Sequence, residues 1–213
     1  MIKRNKWSLL ISSLVILLPM VFGLIVWDRL PEQIATHWGP SGEPDGWSSR
    51  AVAVFAMPLF LFVLHWACAF VTAKDPKNDG HNGRTLWLVL WVTPTLSLLC
   101  NALVYATAFG MTVSVERVMP LVLGLMFMVI GNYIPKFKQN HTIGIKIPWT
   151  LNDEENWNAT HRFTGKVWMV GGFAILFTAF LPKSFISIAF FLCLIPMVAA
   201  PFIYSYRFYK KHK

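Results

Sequence analysis

Two small groups of residues have the types that acid–base or metal chemistry uses. His37, Glu43 and Asp45 stand within nine positions of one another. An imidazole beside two carboxylates can hold a divalent ion or move a proton. Their setting argues against it. The stretch Pro31-Glu-Gln-Ile-Ala-Thr-His37-Trp38-Gly39-Pro40-Ser-Gly42-Glu43-Pro44-Asp45-Gly46-Trp47 is dense in turn formers and shows no recurring ligand spacing, so solvated charges on tight turns are the favoured reading. The second group is His141 and His161 with Glu154 and Glu155, which would have to converge on one pocket to act together. We expect no catalytic residue, no metal and no cofactor. Cys68, Cys100 and Cys193 all fall in apolar stretches and suit packing rather than a disulfide framework or zinc.

The elements that would position these residues are membrane helices. The chain has 213 residues, 55% hydrophobic and 14% charged, whereas soluble proteins average roughly 25% charged. A helix needs about 20 apolar residues to cross a bilayer. Trp7–Trp27, Ala51–Thr72, Leu86–Phe109, Val118–Ile134 and Phe185–Tyr206 meet or approach that length, and none holds an Asp, Glu, Lys or Arg. Val167–Leu181 is shorter, and Lys166 can extend it by snorkelling. The expectation is an all-α polytopic protein of about six spans, divided as residues 1–72 (two spans and the turn-rich outer loop) and 73–213 (four spans and an inner loop at 135–166). A five-span chain with a buried or re-entrant segment at Val167–Leu181 is the alternative.

Charge sets the orientation. Fifteen Lys and Arg lie on the side of the two termini and four on the other. Basic residues favour the cytoplasmic side, so both termini are expected there. The net charge of +9 therefore reports topology and not nucleic-acid binding, which needs the basic residues gathered on one face. Within the spans, His65 reads as a hydrogen-bonded packing residue, and Thr93, Ser97 and Asn101 share one face that glues helices together.

The inner loop is the richer of the two. Asn140, Gly144 and Pro148 restrict its backbone, and Trp149 and Trp157 are expected at headgroup depth. Asn152 with Glu155 three residues on reads as a helix start. Beyond it, Trp157, His161, Thr164 and Trp168 line one helix face, and Glu154, Asn158, Arg162 and Lys166 the other.

At these loops the sequence resembles the SdpI-type immunity protein family of bacterial membranes. Its core signature appears as Gly131-Asn132, Asn140-His141, Gly144, Pro148-Trp149-Thr150-Leu151, Trp157 and His161-Arg162. The outer loop resembles the family's frequent amino-terminal domain of unknown function, standing here as Pro31, His37-Trp38 and Gly42-Glu-Pro44-Asp45-Gly46. The resemblance implies a multi-pass protein of the bacterial cytoplasmic membrane without catalysis. Its implied role is resistance to a secreted peptide toxin, with the bilayer, the toxin outside and a small DNA-binding repressor inside as partners. A transporter with a polar cavity between spans, or a membrane enzyme using His141 and His161, are the rival readings.

Overall fold

The computed structural model describes residues 5–77 and 83–212. Its helices are α1 (Lys6–Ile25), α2 (Arg50–Lys74), α3 (Gly83–Ala108), α4 (Val115–Tyr133), α5 (Pro148–Leu151), α6 (Glu154–Thr178) and α7 (Lys183–Lys211). Among the described residues five helices are long and apolar enough to cross a membrane: α1, α2, α3, α4 and α7. Their outward faces carry exposed Leu, Ile, Val and Phe, as lipid contact requires. The chain is thus a helical polytopic membrane protein. α6 is the exception in composition. It is a rod of 25 residues, about 37 Å long. Its amino-terminal half is polar, and only the half from Val167 onward is apolar.

Two compact units divide the chain. One is Met1–Lys74 with Leu86–Val115, and the other is Asp75–Thr85 with Glu116–Lys213.

In the first unit the outer loop is more regular than a set of turns. Strands β1 (Gln33–Trp38) and β2 (Pro44–Ser49) pair antiparallel, with irregular register around His37. Ile34 and Leu30 bury against Ala53, Val54, Val104 and Tyr105, so the hairpin is anchored on α2 and α3. Alternation of Ile34, Thr36 and Trp38 is the strand signal, masked in the sequence by the surrounding Pro and Gly. Below it, α1 and α3 are joined by side chain to backbone bonds. Ser97 Oγ donates to Ile16 O at 2.9 Å and Tyr105 Oη donates to Pro19 O at 2.7 Å. A Cβ on Gly23 would collide with the Tyr105 hydroxyl and with Val54. His65 is buried and hydrogen-bonded to Ser12 at 2.9 Å, the packing role its sequence context suggests.

In the second unit α4 and α6 cross at two pairs of glycines. A Cβ on Gly124 would lie 2.7 Å from Gly172 O, and one on Gly165 would lie 2.8 Å from Gly131 O. Small residues at such spacing let membrane helices pack backbone to backbone. α7 is tied to α6 by Trp168 Nε1, which donates to Met197 O at 3.0 Å, and by Asn156, Thr160 and Ser205 (below).

Candidate functional site

Residues 137–164 make the most heavily bonded polar assembly of the second unit. Asn140 begins it. Its side chain is fully buried. Oδ1 accepts from the Thr142 N–H (2.8 Å) and the Ile143 N–H (2.6 Å), while Nδ2 donates to the carbonyls of Lys138 and Ile143. One amide thus closes a turn that has no helix or sheet to satisfy its backbone.

Gly144 follows with φ +116°, a conformation open to glycine and strained for other residues. A Cβ there would collide with His161 Nε2 and come within 3.1 Å of the Trp157 ring. The absent side chain lets the loop lie directly on α6.

His161 receives it. Nε2 accepts the Ile145 N–H at 3.0 Å, so Nδ1 carries the proton and donates to Trp157 O at 2.8 Å. Burial pushes this imidazole down to about 4, against the raising effect of the Trp157 carbonyl, and it is neutral at physiological pH. Its ring stacks on Trp157, centroids 4.0 Å apart, and Trp157 Nε1 donates to Phe137 O at 2.7 Å. Thr150 completes the clasp. Its hydroxyl donates to Ile145 O at 2.7 Å, and it is buried.

Asp75 was not singled out in the sequence. The residue is buried, 7% exposed. Oδ2 accepts from the His141 N–H at 2.7 Å and Thr142 Oγ1 at 3.3 Å, and Oδ1 accepts from the Lys77 N–H at 3.0 Å. Burial alone would raise its pKa, but those hydrogen bonds and the neighbouring His141 hold it below the usual carboxylate value. Gln139, also overlooked, donates from Nε2 to Thr150 O and Leu151 O. Asn156 accepts from Ser205 Oγ (2.8 Å) and Thr160 Oγ1 (2.9 Å), locking α6 to α7. The i, i+4 spacing of Asn156, Thr160 and Thr164 was the available signal. Asp75 had none.

Two expectations need correction, one is refined and one stands. Asp153 caps α6 through the Glu155 and Asn156 N–H groups, while Asn152 ends the short α5 that the sequence pattern did not show. Trp157 is not at a lipid interface: it is completely buried beneath the loop, because its indole N–H finds a carbonyl there. Trp149 is half-buried against Tyr206 and Tyr209 of α7, with ring centroids 5.0 and 6.2 Å away. The two faces of α6 segregate, with Trp157, His161 and Thr164 inside and Glu154, Asn158, Arg162 and Lys166 outside.

The enzyme reading asks for His141 and His161 in one pocket. His141 is exposed, and His161 has both nitrogens engaged with backbone, leaving neither as a base or ligand. Among the described residues no three His, Cys, Asp or Glu side chains gather as a metal site. In the hairpin, His37 pairs with Asp45 in a cross-strand contact on the exposed surface, and Glu43 takes no part in that contact. Beneath the hairpin, Thr36, Ser48, Phe60 and Asn101 border a cavity of about 300 Å³ with walls that are nearly all apolar. That is not the polar path a transporter needs. Pro31, Trp38, Gly42 and Gly46 serve the hairpin and its turn; Gly42, at φ +77°, is the turn residue.

Residues 136–205 match the SdpI/YfhL protein family, and residues 14–62 match a domain of unknown function, DUF1648. The chain is similar to the immunity protein SdpI of Bacillus subtilis (strain 168), 26% identical over 206 residues, covering 95% of this chain and 96% of that protein. No solved structure matches the chain. The matched family segment contains the whole of α5 and α6, and the loop from Phe137 onward.

Proposed function

From a likeness to the SdpI-type immunity proteins that runs nearly end to end, we propose that this multi-pass bacterial membrane protein protects its cell against a secreted antimicrobial peptide. It does so by binding and not by catalysis. Both termini and the 137–164 loop face the cytoplasm, and the hairpin faces outward, where a peptide arrives. Toxin binding changes the exposure of the inner loop, which a small repressor reads. The observation that carries this reading is the stretch from Phe137 to Ile147: a segment without regular structure, closed by Asn140 and held on α5 and α6 by Thr150 and His161. Such a clasp has two definable states, closed and open, which is what a relay requires.

Orientation is checked with reporter fusions at Lys213 and Gly42, which should label opposite sides; labelling of the same side refutes the layout. The function is checked by toxin survival. Asn140→Ala removes two acceptances from backbone N–H groups and leaves them unmet, a cost of about 2–4 kcal/mol. Trp149→Ala loses its packing on Tyr206 and Tyr209, about 1–3 kcal/mol. Both variants should insert at near-parental abundance on a membrane blot and fail to protect. Parental survival at equal protein level would reduce the loop to a connector.

A further inference from the structure

Arg162 and Lys166 lie one turn apart on the exposed face of α6, and neither has an ion-pair or hydrogen-bond partner among the described residues. They stand beside a groove of about 770 Å³, whose wall is built by Gly131 near the end of α4, by Pro135 just past it, and by Phe163, Gly165, Met169 and Val170 of α6. Asn132 and Tyr204 stand at the same groove with polar ends. A volume of this order suits a small ligand. The lining divides its chemistry: cations on one stretch, aliphatic surface on the next turn of the same helix.

We propose that this groove binds one anionic phospholipid. The phosphate sits between the Arg162 guanidinium and the Lys166 ammonium, and an acyl chain runs along Met169 and Val170. Arg supplies a planar fork that bonds two phosphate oxygens, and Lys supplies a point charge beside it. Two unpaired cations at a bilayer surface attract anionic headgroups. A free phosphate would satisfy the cations but leave the aliphatic wall uncovered. A zwitterionic lipid would cover the wall but set its own cationic group against Arg162 and Lys166. The anionic lipid meets both.

The site is independent of any toxin, so it stands or falls apart from the immune role. The full chain, purified in a non-ionic detergent, is given phosphatidylglycerol, phosphatidylcholine or inorganic phosphate. Native mass spectrometry counts retained lipid, and a thermal scan reads the shift. Phosphatidylglycerol should remain bound at one per chain and raise the melting temperature, phosphatidylcholine should do neither, and phosphate alone should give little shift. Retention should fall at least tenfold in R162Q/K166Q. R162K, which keeps the charge and loses the fork, should fall between. Both positions are exposed, and parental melting of R162Q/K166Q without lipid will show the fold intact. Equal retention of both lipids, an equal shift from phosphate alone, or parental retention by R162Q/K166Q at any melting temperature would each overturn the proposal.

Discussion

Replacing Gly144 by Ala should abolish protection while leaving the protein inserted and abundant. At φ +116° an Ala is strained by about 1–3 kcal/mol before any contact is considered. Its Cβ also meets His161 Nε2, the atom that accepts the Ile145 N–H, so the loop must lift and lose that bond as well. Together these effects come to about 3 kcal/mol or more, on the order of a hundredfold shift from closed to open loop. Gly110→Ala is the control. Gly110 also has a positive φ, +76°, but a Cβ there has nothing within 4 Å. It should cost about 1 kcal/mol and leave survival near parental. Toxin survival at matched abundance checks both. If Gly144→Ala cells survive like the parent, closure of the loop on His161 is not needed for protection.

Acid should open the same loop. The closed form holds His161 near 4, whereas an open loop returns it to the ordinary value of 6.5. Between those values the open state binds more protons, so closure is fully favoured above 6.5 and weakens as pH falls toward 4. The full swing is about 3 kcal/mol, a few hundredfold in the ratio of closed to open loop. Asp75 has the same sign: its depressed carboxyl favours closure above its ordinary value of 3.8 and withdraws that support only at lower pH. Hydrogen exchange reads the effect directly. The protection factor of the Ile145 amide should drop roughly a hundredfold between pH 7 and pH 4.5, with α7 amides unchanged. A flat profile at Ile145 would mean that the loop does not close through His161.

The helices were legible because lipid imposes one rule on every span: an uninterrupted apolar run with no charge. α6 escaped that rule in part. A polar half and an apolar half form one rod, and hydropathy sees only the second. The hairpin was hidden for a different reason. Its turn residues dominate its composition, while Leu30 and Ile34, which hold it down, read as ordinary loop hydrophobics. In the inner loop, residue type was a fair guide to Asn140 and Gly144, since each acts on backbone close to it in the chain. Trp157 was misplaced because an indole suits a wet interface and a buried carbonyl equally well. Asp75 was invisible because its partners in the loop, His141 and Thr142, lie 66 and 67 positions away, and no spacing rule reaches that far.

The bonds from α3 to α1 have a consequence for how the chain is made. Pro19 lacks an N–H, so α1 is one ladder bond short at Val15, and the nearby carbonyls of Ile16 and Pro19 take bonds from Ser97 and Tyr105. Those donors lie 81 and 86 residues downstream. At usual synthesis rates Tyr105 is therefore polymerised roughly 4–17 s after Pro19. α2 is made in the interval and brings His65 to Ser12. A chain shortened to its first two helices lacks both of the side-chain donors that reach those carbonyls, and it is the third helix that supplies them.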